Sequence, residues 1–316
     1  MMKIQEPFCE WLMRRFPVFP SVLDKHLWEV FKSNYYLKNS AYKQSEIRHS
    51  LTMASFDYES NPRHSWLVKY FSSRVPLKSL ERATLLDLGC FTGGRLAYWT
   101  KNYRLKTGLG IDINPEFKLA ADEFNEKMCI PNVLISTGYG EALPYENDSI
   151  DFIVATDVFE HVRNLFMTLL ECHRVLKPGG KLLAVFPQYL QPLEAHLGLV
   201  TWLPALHWFF SGKVISRCYN KIILERPDSD WYAPSYPLQD WELLPSLNGT
   251  SVRTFKRLVR SMDWTEVDFK AKPILTDGRR ANSFPFKQLS MFCAIPARIP
   301  YLEELFLGRI NCVLVK

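Results

Sequence analysis

The residues best suited to bind a ligand lie where an apolar run meets a glycine-rich turn. The run 85–88 (LLDL) contains Asp87 and leads directly into 89–94 (GCFTGG), which precedes a helical pattern. In open parallel sheets, ligands bind at the carboxyl ends of strands where the strand order reverses. Glycines allow close backbone approach there, and the N–H groups that open a helix bind anions. The pattern therefore predicts a ligand-binding turn after the first strand.

The spacing within this turn argues against a dinucleotide. A dinucleotide fingerprint reads G-x-G-x-x-G, whereas here Phe91 stands at the second glycine position. Asp87, two residues before Gly89, would repel a pyrophosphate and suits a ligand that carries an ammonium group. A nicotinamide oxidoreductase is therefore disfavoured.

A second carboxylate follows 25 residues after Asp87, at the end of the next apolar run. Asp112 in 110–115 (GIDINP) is placed to accept hydrogen bonds from both hydroxyls of a ribose. The alternative is a purely structural one, in which Asp112 caps the helix that begins at Pro115.

The elements that must position these groups alternate along the chain. Strands alternating with helices indicate β-α-β units and a parallel sheet. The sequence predicts strands at 84–88, 108–111, 133–136, 152–156 and 182–186, with late strands at 266–271 and 310–316. It predicts helices near 94–101, 115–126, 163–175 and 252–262.

The remaining segments divide the chain into four predicted parts. Residues 1–82 form a helical N-terminal cap, with helices around 8–15, from Ser21 and from Asn61-Pro62. Residues 83–187 form the Rossmann-like core, 188–250 an inserted lid over the ligand site, and 251–316 a late helix and strands that complete the sheet. The predicted fold is a doubly wound, mostly parallel seven-stranded α/β sheet with a cap and a lid.

Residues 83–187 resemble the class I S-adenosylmethionine-dependent methyltransferases, most closely the type-11 group that includes quinone-pathway enzymes. Four segments in the family's order carry the resemblance. They are 87–93 (DLGCFTG), 110–112 (GID), 141–145 (EALPY) with 149–154 (SIDFIV), and 158–162 (VFEHV) with 174–180 (RVLKPGG).

The resemblance implies S-adenosylmethionine as the cofactor and assigns residues to its parts. The loop residues expected to hold its methionine end are Asp87, Gly89, Cys90 and Gly93. Asp112 would bind the ribose and Ile113 would pack on the adenine. Tyr139, Gly140 and Glu141 would border the adenine, with Glu141 equally well a surface residue. Asp157 and Val158 would line the methyl-transfer site.

Two positions depart from the family's pattern. Many relatives have glycine where Phe91 stands, so its ring either narrows the loop or packs outward. Many have an acidic residue where Tyr139 stands, so the tyrosine hydroxyl or the backbone would bind the adenine amino group instead.

The catalytic residues are not evident from the sequence, and three histidines are candidates. His161 follows Glu160 after the fourth strand, where the pair is expected mainly to cap and orient the next helix. His196 precedes an apolar stretch, 197–210, and His207 lies within it. That stretch is a lid over an aromatic acceptor, a patch facing a membrane, or a helical cap that completes the core with hydrogen-bonded histidines.

Composition excludes several other classes. The net charge of +6 over 316 residues is too small to indicate nucleic acid. Seven scattered cysteines without C-x-x-C spacing fit a reducing, cytoplasmic compartment. We expect no metal site and no transmembrane segment, although peripheral membrane contact stays open.

These observations together predict methyl transfer from S-adenosylmethionine to a small or lipid-like acceptor at O, N or C, by in-line displacement. The alternative is a catalytically silent scaffold or partner subunit that keeps the fold.

Overall fold

The computed structural model describes residues 2–17, 44–192, 200–225, 248–274, 276, 286–299 and 301–316. Its seven strands form a single sheet in the order β3-β2-β1-β4-β5-β7-β6. They are β1 (Thr84–Leu88), β2 (Thr107–Asp112), β3 (Val133–Thr137), β4 (Ile150–Thr156), β5 (Leu176–Pro187), β6 (Glu266–Pro273) and β7 (Leu307–Val315). The first five run parallel, and β7 is antiparallel to both β5 and β6. The predicted doubly wound, mostly parallel seven-stranded sheet is confirmed.

The described helices cover both faces of this sheet and extend beyond it. They are α1 (Met2–Arg15), α2 (Gln44–Ser60), α3 (Gly94–Asn102), α4 (Pro115–Lys127), α5 (Leu165–Val175), α6 (Leu206–Phe209), α7 (Gly212–Leu224), α8 (Val252–Arg260), α9 (Phe286–Ala294) and α10 (Glu303–Phe306). A π-helical turn spans Leu67–Phe71, and 3₁₀ turns span Leu77–Leu80 and Pro296–Arg298. Of the described helices, none has both the length and the apolar character required to span a bilayer.

Strand order creates the ligand cleft. β1 pairs with β2 on one side and with β4 on the other, so the chain direction across the sheet reverses beside β1. Leu85, Leu86 and Leu88 of β1 are almost completely buried. Because loops leaving parallel strands at such a reversal diverge, the carboxyl ends of β1, β2 and β4 border an open crevice.

Two apolar cores, one on each face of the sheet, hold it in place. One contains Phe159, Phe186 and Phe255 between the sheet, α5 and α8. The other contains Phe71, Trp99 and Phe124 beneath α3 and α4. Each buried aromatic side chain of this size contributes roughly 1.5–3 kcal/mol, so the sheet supplies a rigid support for the crevice.

The N-terminal helices differ from expectation. α2 was not assigned in the sequence, and Asn61-Pro62 forms a turn after it instead of starting a helix. The third predicted helix is reduced to the short π-helical turn. The carboxylate of Glu59 explains the turn, because it accepts hydrogen bonds from Ser65 Oγ (2.5 Å) and the Trp66 N–H (3.1 Å). The helix predicted from Ser21 lies outside the described residues.

α1 belongs to a third, separate cluster. Its Cys9 and Met13 are fully buried against Val214, Ile215 and Cys218 of α7. An exposed ion pair between Lys221 and Glu10, 2.9 Å long, adds little to this contact. α1 therefore packs on the insertion that follows β5. The division into four domains with the boundaries given above stays a prediction.

Candidate active site at the carboxyl ends of β1, β2 and β4

The loop between β1 and α3 has an unusual backbone. Gly89, Phe91 and Gly93 have φ angles of 68°, 54° and 74°. This left-handed region is readily adopted by glycine and is costly for other residues. A Cβ at Gly89 would also clash with Cγ2 of Val158. The loop therefore lies directly against the segment that follows β4, and two predicted cofactor residues, Gly89 and Val158, are brought together.

Asp112 ties the end of β2 to this loop. Its Oδ2 accepts a hydrogen bond from the Phe91 N–H (2.9 Å), and its Oδ1 accepts one from the Asn114 N–H (3.1 Å). Burial raises the pKa of Asp112 to about 6, although these amide donors oppose the rise. The helix-cap alternative for Asp112 is wrong, because the side chain of Asn114 caps α4 by accepting from the Glu116 N–H.

Asp87 has a different partner from the one expected. Its carboxylate is completely buried and forms a two-point ion pair with Arg95, with Nε to Oδ2 at 2.7 Å and Nη2 to Oδ1 at 2.6 Å. Arg95 also donates to the carbonyl oxygen of Gly89 (3.0 Å) and to the hydroxyl of Thr156. The prediction that this carboxylate faces an ammonium group of the ligand is therefore corrected. A buried carboxylate needs a counter-charge, and this chain supplies its own.

Burial raises the pKa of Asp87, and the adjacent Arg95 guanidinium opposes that rise. Arg95 was not predicted as a site residue, although one signal in the sequence marked it. A basic residue in the first turn of a helix is unfavourable to the helix dipole, and Arg95 is the second residue of α3. Such a residue indicates a specific anionic partner close by.

A second arginine, Arg309, forms an ion pair just after the end of β4. Asp157 has a φ of 56° and pairs with Arg309 of β7. The Arg309 guanidinium lies 5.5 Å from the ring centre of Trp66. β7 and the segment after α2 thus meet beside the predicted methyl-transfer residues. Local patterns did not predict this contact, because its partners are distant in the sequence.

The segment after β3 contributes another border of the crevice. The Gly138 N–H donates to the carbonyl oxygen of Asp112 (2.9 Å), which places Tyr139 next to β2. Tyr139 is half exposed beneath the guanidinium of Arg163, 5.1 Å from its ring centre. Glu141 accepts a hydrogen bond from the Asn164 N–H (3.0 Å), so its carboxylate supports the start of α5.

Phe91, the first departure from the family pattern, packs against α4. Its ring centre lies 4.4 Å from that of Phe117.

The candidate histidines have separate surroundings. His161 Nε2 lies 3.5 Å from the buried carboxylate of Glu160, and the next helix is capped by Asn164 instead of by this pair. His196 lies outside the described residues. Nε2 of the buried His207 is 2.8 Å from the carbonyl oxygen of Tyr189, just after β5. In the described part of the chain, no group of three or more His, Cys, Asp or Glu side chains could hold a metal ion.

Comparison with known proteins identifies the domain that carries this crevice. Residues 86–184 match the type-11 family described as "Methyltransferase domain". This is a class I S-adenosylmethionine-dependent methyltransferase domain. The match begins inside β1 and ends inside β5, so this methyltransferase domain includes the loop, Asp112 and the end of β4. The expected family and its cofactor, S-adenosylmethionine, are confirmed.

Curated relatives each match less than half of the chain. A malonyl-[acyl-carrier protein] O-methyltransferase of Coxiella burnetii is 33% identical over 124 residues, or 39% of this chain and 40% of that protein. A demethylmenaquinone methyltransferase of Oceanobacillus iheyensis is 25% identical over 149 residues, or 44% of this chain and 58% of that protein. The chain thus spans about half the length of these relatives.

A solved structure shows the same fold over most of the chain. Phosphoethanolamine N-methyltransferase 2 of Haemonchus contortus, in complex with S-adenosyl-L-methionine, superposes with a TM-score of 0.50. The match covers 94% of this chain and 61% of that one at 13% identity. At this identity the likeness concerns the fold alone.

The residues present fit the cofactor at Asp112 but not at Asp87. The half-buried carboxylate of Asp112 suits a ribose, whereas the Cβ position of Gly89 is filled by Val158. The hydroxyl of Thr92, in the same loop, is buried and has no hydrogen-bond partner among the described residues. Asp87 does not offer its carboxylate, so a direct ligand contact there does not fit.

Proposed function

We propose that the whole chain is an enzyme that transfers a methyl group from S-adenosylmethionine to a small or lipid-like acceptor. The observation that supports it most is the Asp112 carboxylate held against the glycine loop by the Phe91 N–H, beside the end of β4. This arrangement lies inside the matched methyltransferase domain.

The cofactor, when bound, supplies a methyl group already activated by the positive charge on sulfur. The protein then mainly has to place the acceptor in line with that group, and positioning of this kind supplies roughly 7–11 kcal/mol. In this proposal Asp112 binds the ribose hydroxyls and the backbone of 89–93 binds the methionine end. Asp87 acts through Arg95, which fixes the Gly89 carbonyl and Thr156.

The insertion after β5 supports an apolar acceptor. Trp202, Trp208 and Phe209 expose 59%, 40% and 73% of their surface, an unusual density of uncovered rings. The names of the two curated relatives describe acyl-carrier-protein and menaquinone-type acceptors. Exposed rings on the insertion that follows β5 suit an acceptor of such apolar character, at O, N or C.

His207 is proposed as the base for an acceptor that must lose a proton. A carbonyl oxygen only accepts, so Nε2 carries the proton that it donates to Tyr189. Nδ1 therefore presents its lone pair, and it has no hydrogen-bond partner among the described residues. Burial lowers the pKa of His207, which keeps the ring neutral and able to accept a proton at pH 7.

Calorimetry with S-adenosylhomocysteine tests the cofactor assignment. We expect binding of S-adenosylhomocysteine and none of NADH. Asp112→Ala should weaken binding by about 1.5–3 kcal/mol, the range for hydrogen bonds to a charged group. Asp122→Ala, which removes an exposed carboxylate of α4, is the matched control and should leave the affinity unchanged. Binding of NADH alone, or equal affinity of both variants, contradicts the proposal.

Turnover against a panel of quinol, fatty-acyl and amine acceptors tests the base. His207→Gln keeps a donor for the Tyr189 carbonyl and removes the basic nitrogen, so kcat should fall by about 10²–10⁴ while cofactor affinity is unchanged. His173→Gln, at an exposed histidine bonded to the Asp263 carbonyl, is the control and should retain full activity.

The buried Asp87–Arg95 pair favours one other function, a silent scaffold. A carboxylate that is satisfied internally stabilises the fold whether or not a cofactor binds. A scaffold would show weak or absent S-adenosylhomocysteine binding and no product with any acceptor of the panel. Product formation excludes it.

A further inference from the structure

The segment before β7 exposes an apolar surface that ordinary surface helices bury. Six side chains between 289 and 301 form what we call the apolar face: Leu289, Met291, Phe292, Ile295, Ile299 and Tyr301. Their exposed fractions run from 45% at Ile299 to 76% at Phe292. Ser290, by contrast, is 9% exposed and its hydroxyl donates to the Lys287 carbonyl of the same helix. α9 thus turns large apolar side chains to the surface and one serine inwards, whereas the apolar side of a surface helix ordinarily packs on a core.

The apolar face is held at a defined place in the fold. It lies in the connection between the end of β6 and the start of β7, where Pro273 pairs with Leu307. Arg309, two residues into β7, pairs with Pro187 at the carboxyl end of β5. The connection therefore leaves the sheet at the edge that also carries the glycine loop. The Glu304 carboxylate accepts from the Arg253 N–H (2.7 Å) and anchors the end of this connection to α8.

The charges around the apolar face are of one sign. Lys287 and Arg298 are exposed within the segment, and Arg253 lies with its guanidinium 4.2 Å from the ring centre of Tyr301. Residues 286–302 contain no aspartate or glutamate. Glu303, the first carboxylate beyond them, pairs with Lys256 at 3.5 Å. An apolar helix face bordered by cations is complementary to an anionic bilayer surface, where the rings enter the headgroup region and the cations meet phosphate.

We propose that the apolar face docks the protein onto a membrane that contains anionic lipid. Docking would turn the carboxyl edge of the sheet, and with it the crevice, towards the lipid headgroups. Membrane contact was one alternative for the stretch 197–210, whereas the face with matching charge is 289–301. The inference goes beyond methyl transfer and does not depend on it, since bilayer binding requires no cofactor.

Cosedimentation of the full chain with vesicles tests the proposal. The vesicles are equimolar phosphatidylglycerol and phosphatidylcholine, with pure phosphatidylcholine for comparison. We expect binding to the anionic vesicles that weakens at high salt. The double variant Phe292→Ser, Ile295→Ser should bind about tenfold or more weakly, because membrane affinity scales with the apolar area inserted. The charge variant Lys287→Glu, Arg298→Glu should lose the preference for anionic lipid.

A matched control separates this face from exposed apolar surface in general. Leu134, 56% exposed, lies on β3 at the opposite edge of the sheet, and Leu134→Ser should bind vesicles like the unaltered protein. Circular dichroism and the unfolding midpoint establish that each variant is folded. The proposal is overturned if the unaltered protein ignores anionic vesicles, or if the Phe292→Ser, Ile295→Ser variant binds as well as Leu134→Ser. It is also overturned if sedimentation shows a dimer that this variant dissolves while vesicles bind neither form.

Discussion

The cofactor side of the crevice and the segments added after β5 and β6 differ in the side chains that they present. On the cofactor side the carboxylates are bonded within the fold, the buried Asp87 to Arg95 and the half-buried Asp112 to the Phe91 N–H. The additions after β5 and β6 instead expose rings, with Phe209 at 73% and Phe292 at 76%. A ligand that a whole family shares can be bound by a rigid backbone and by ion pairs within the fold. Apolar partners are instead bound by exposed side chains on the added segments.

The largest expected effect on stability comes from removing the Asp87–Arg95 ion pair on the cofactor side. Arg95→Met leaves the Asp87 carboxylate buried without a counter-charge, which should lower the free energy of unfolding by about 3–5 kcal/mol. Arg104→Met removes an exposed arginine 3.8 Å from Glu81 and should cost less than about 1 kcal/mol. Urea titration of both variants measures the difference. Equal losses would mean that the pair is not the support of the loop.

The next effect concerns the loop backbone. Gly89→Ala should destabilise the protein by about 1–2 kcal/mol for its left-handed φ, and by about 1–3 kcal/mol more for the clash with Val158. Gly179→Ala is the control, because Gly179 has a φ of 78° with nothing within 4 Å of a Cβ. Only Gly89→Ala should also abolish S-adenosylhomocysteine binding. Equal behaviour of the two variants in calorimetry and thermal unfolding would show that Val158 does not press on the loop.

The effect of pH should follow Asp112. Its pKa of about 6 lies above the ordinary value of 3.8, so lowering the pH from 7 to 5 protonates a group that must accept ribose hydroxyls. If only the ionised form binds, S-adenosylhomocysteine affinity should fall about tenfold over that range. Asp112→Asn should remove this pH dependence, and its persistence in calorimetry would assign it to another group.

The raised pKa of Asp112 affects stability in the opposite direction to cofactor affinity. The folded protein holds the Asp112 proton more tightly than the unfolded chain does, so the contribution of this group to unfolding free energy declines as pH rises from about 4 to about 6.

The smallest effect on stability should come from the additions. Phe209→Ser changes an exposed ring and should alter the free energy of unfolding by less than about 0.5 kcal/mol. S-adenosylhomocysteine affinity should also be unchanged, while turnover of an apolar acceptor should decrease. A large loss of cofactor affinity in this variant would remove the distinction between the two regions.

Local patterns predicted the core well because each strand and turn carries its own signal. β1 was placed at its observed bounds, and β4 began two residues earlier than predicted. α2 was missed because its apolar side chains are interrupted by polar residues and its burial depends on α3. Within the site, the spacing of Asp87 and Asp112 located the crevice but did not reveal that Arg95 and Arg309 would hold its carboxylates. The pair of Asp157 with Arg309 joins residues 152 positions apart, and such a pair leaves no periodic trace in the sequence.

The sequence by itself determined the alternation of strands and helices, the glycine turn and the family, since each follows from short stretches with fixed spacing. Only the tertiary structure decided which charges meet and which surfaces stay uncovered. Asp87 pairs with Arg95 because the charge of a buried carboxylate must be neutralised within the fold. The apolar face before β7 became visible only once the burial of Ser290 and the exposure of Phe292 were known, because composition does not reveal the direction in which a helix faces.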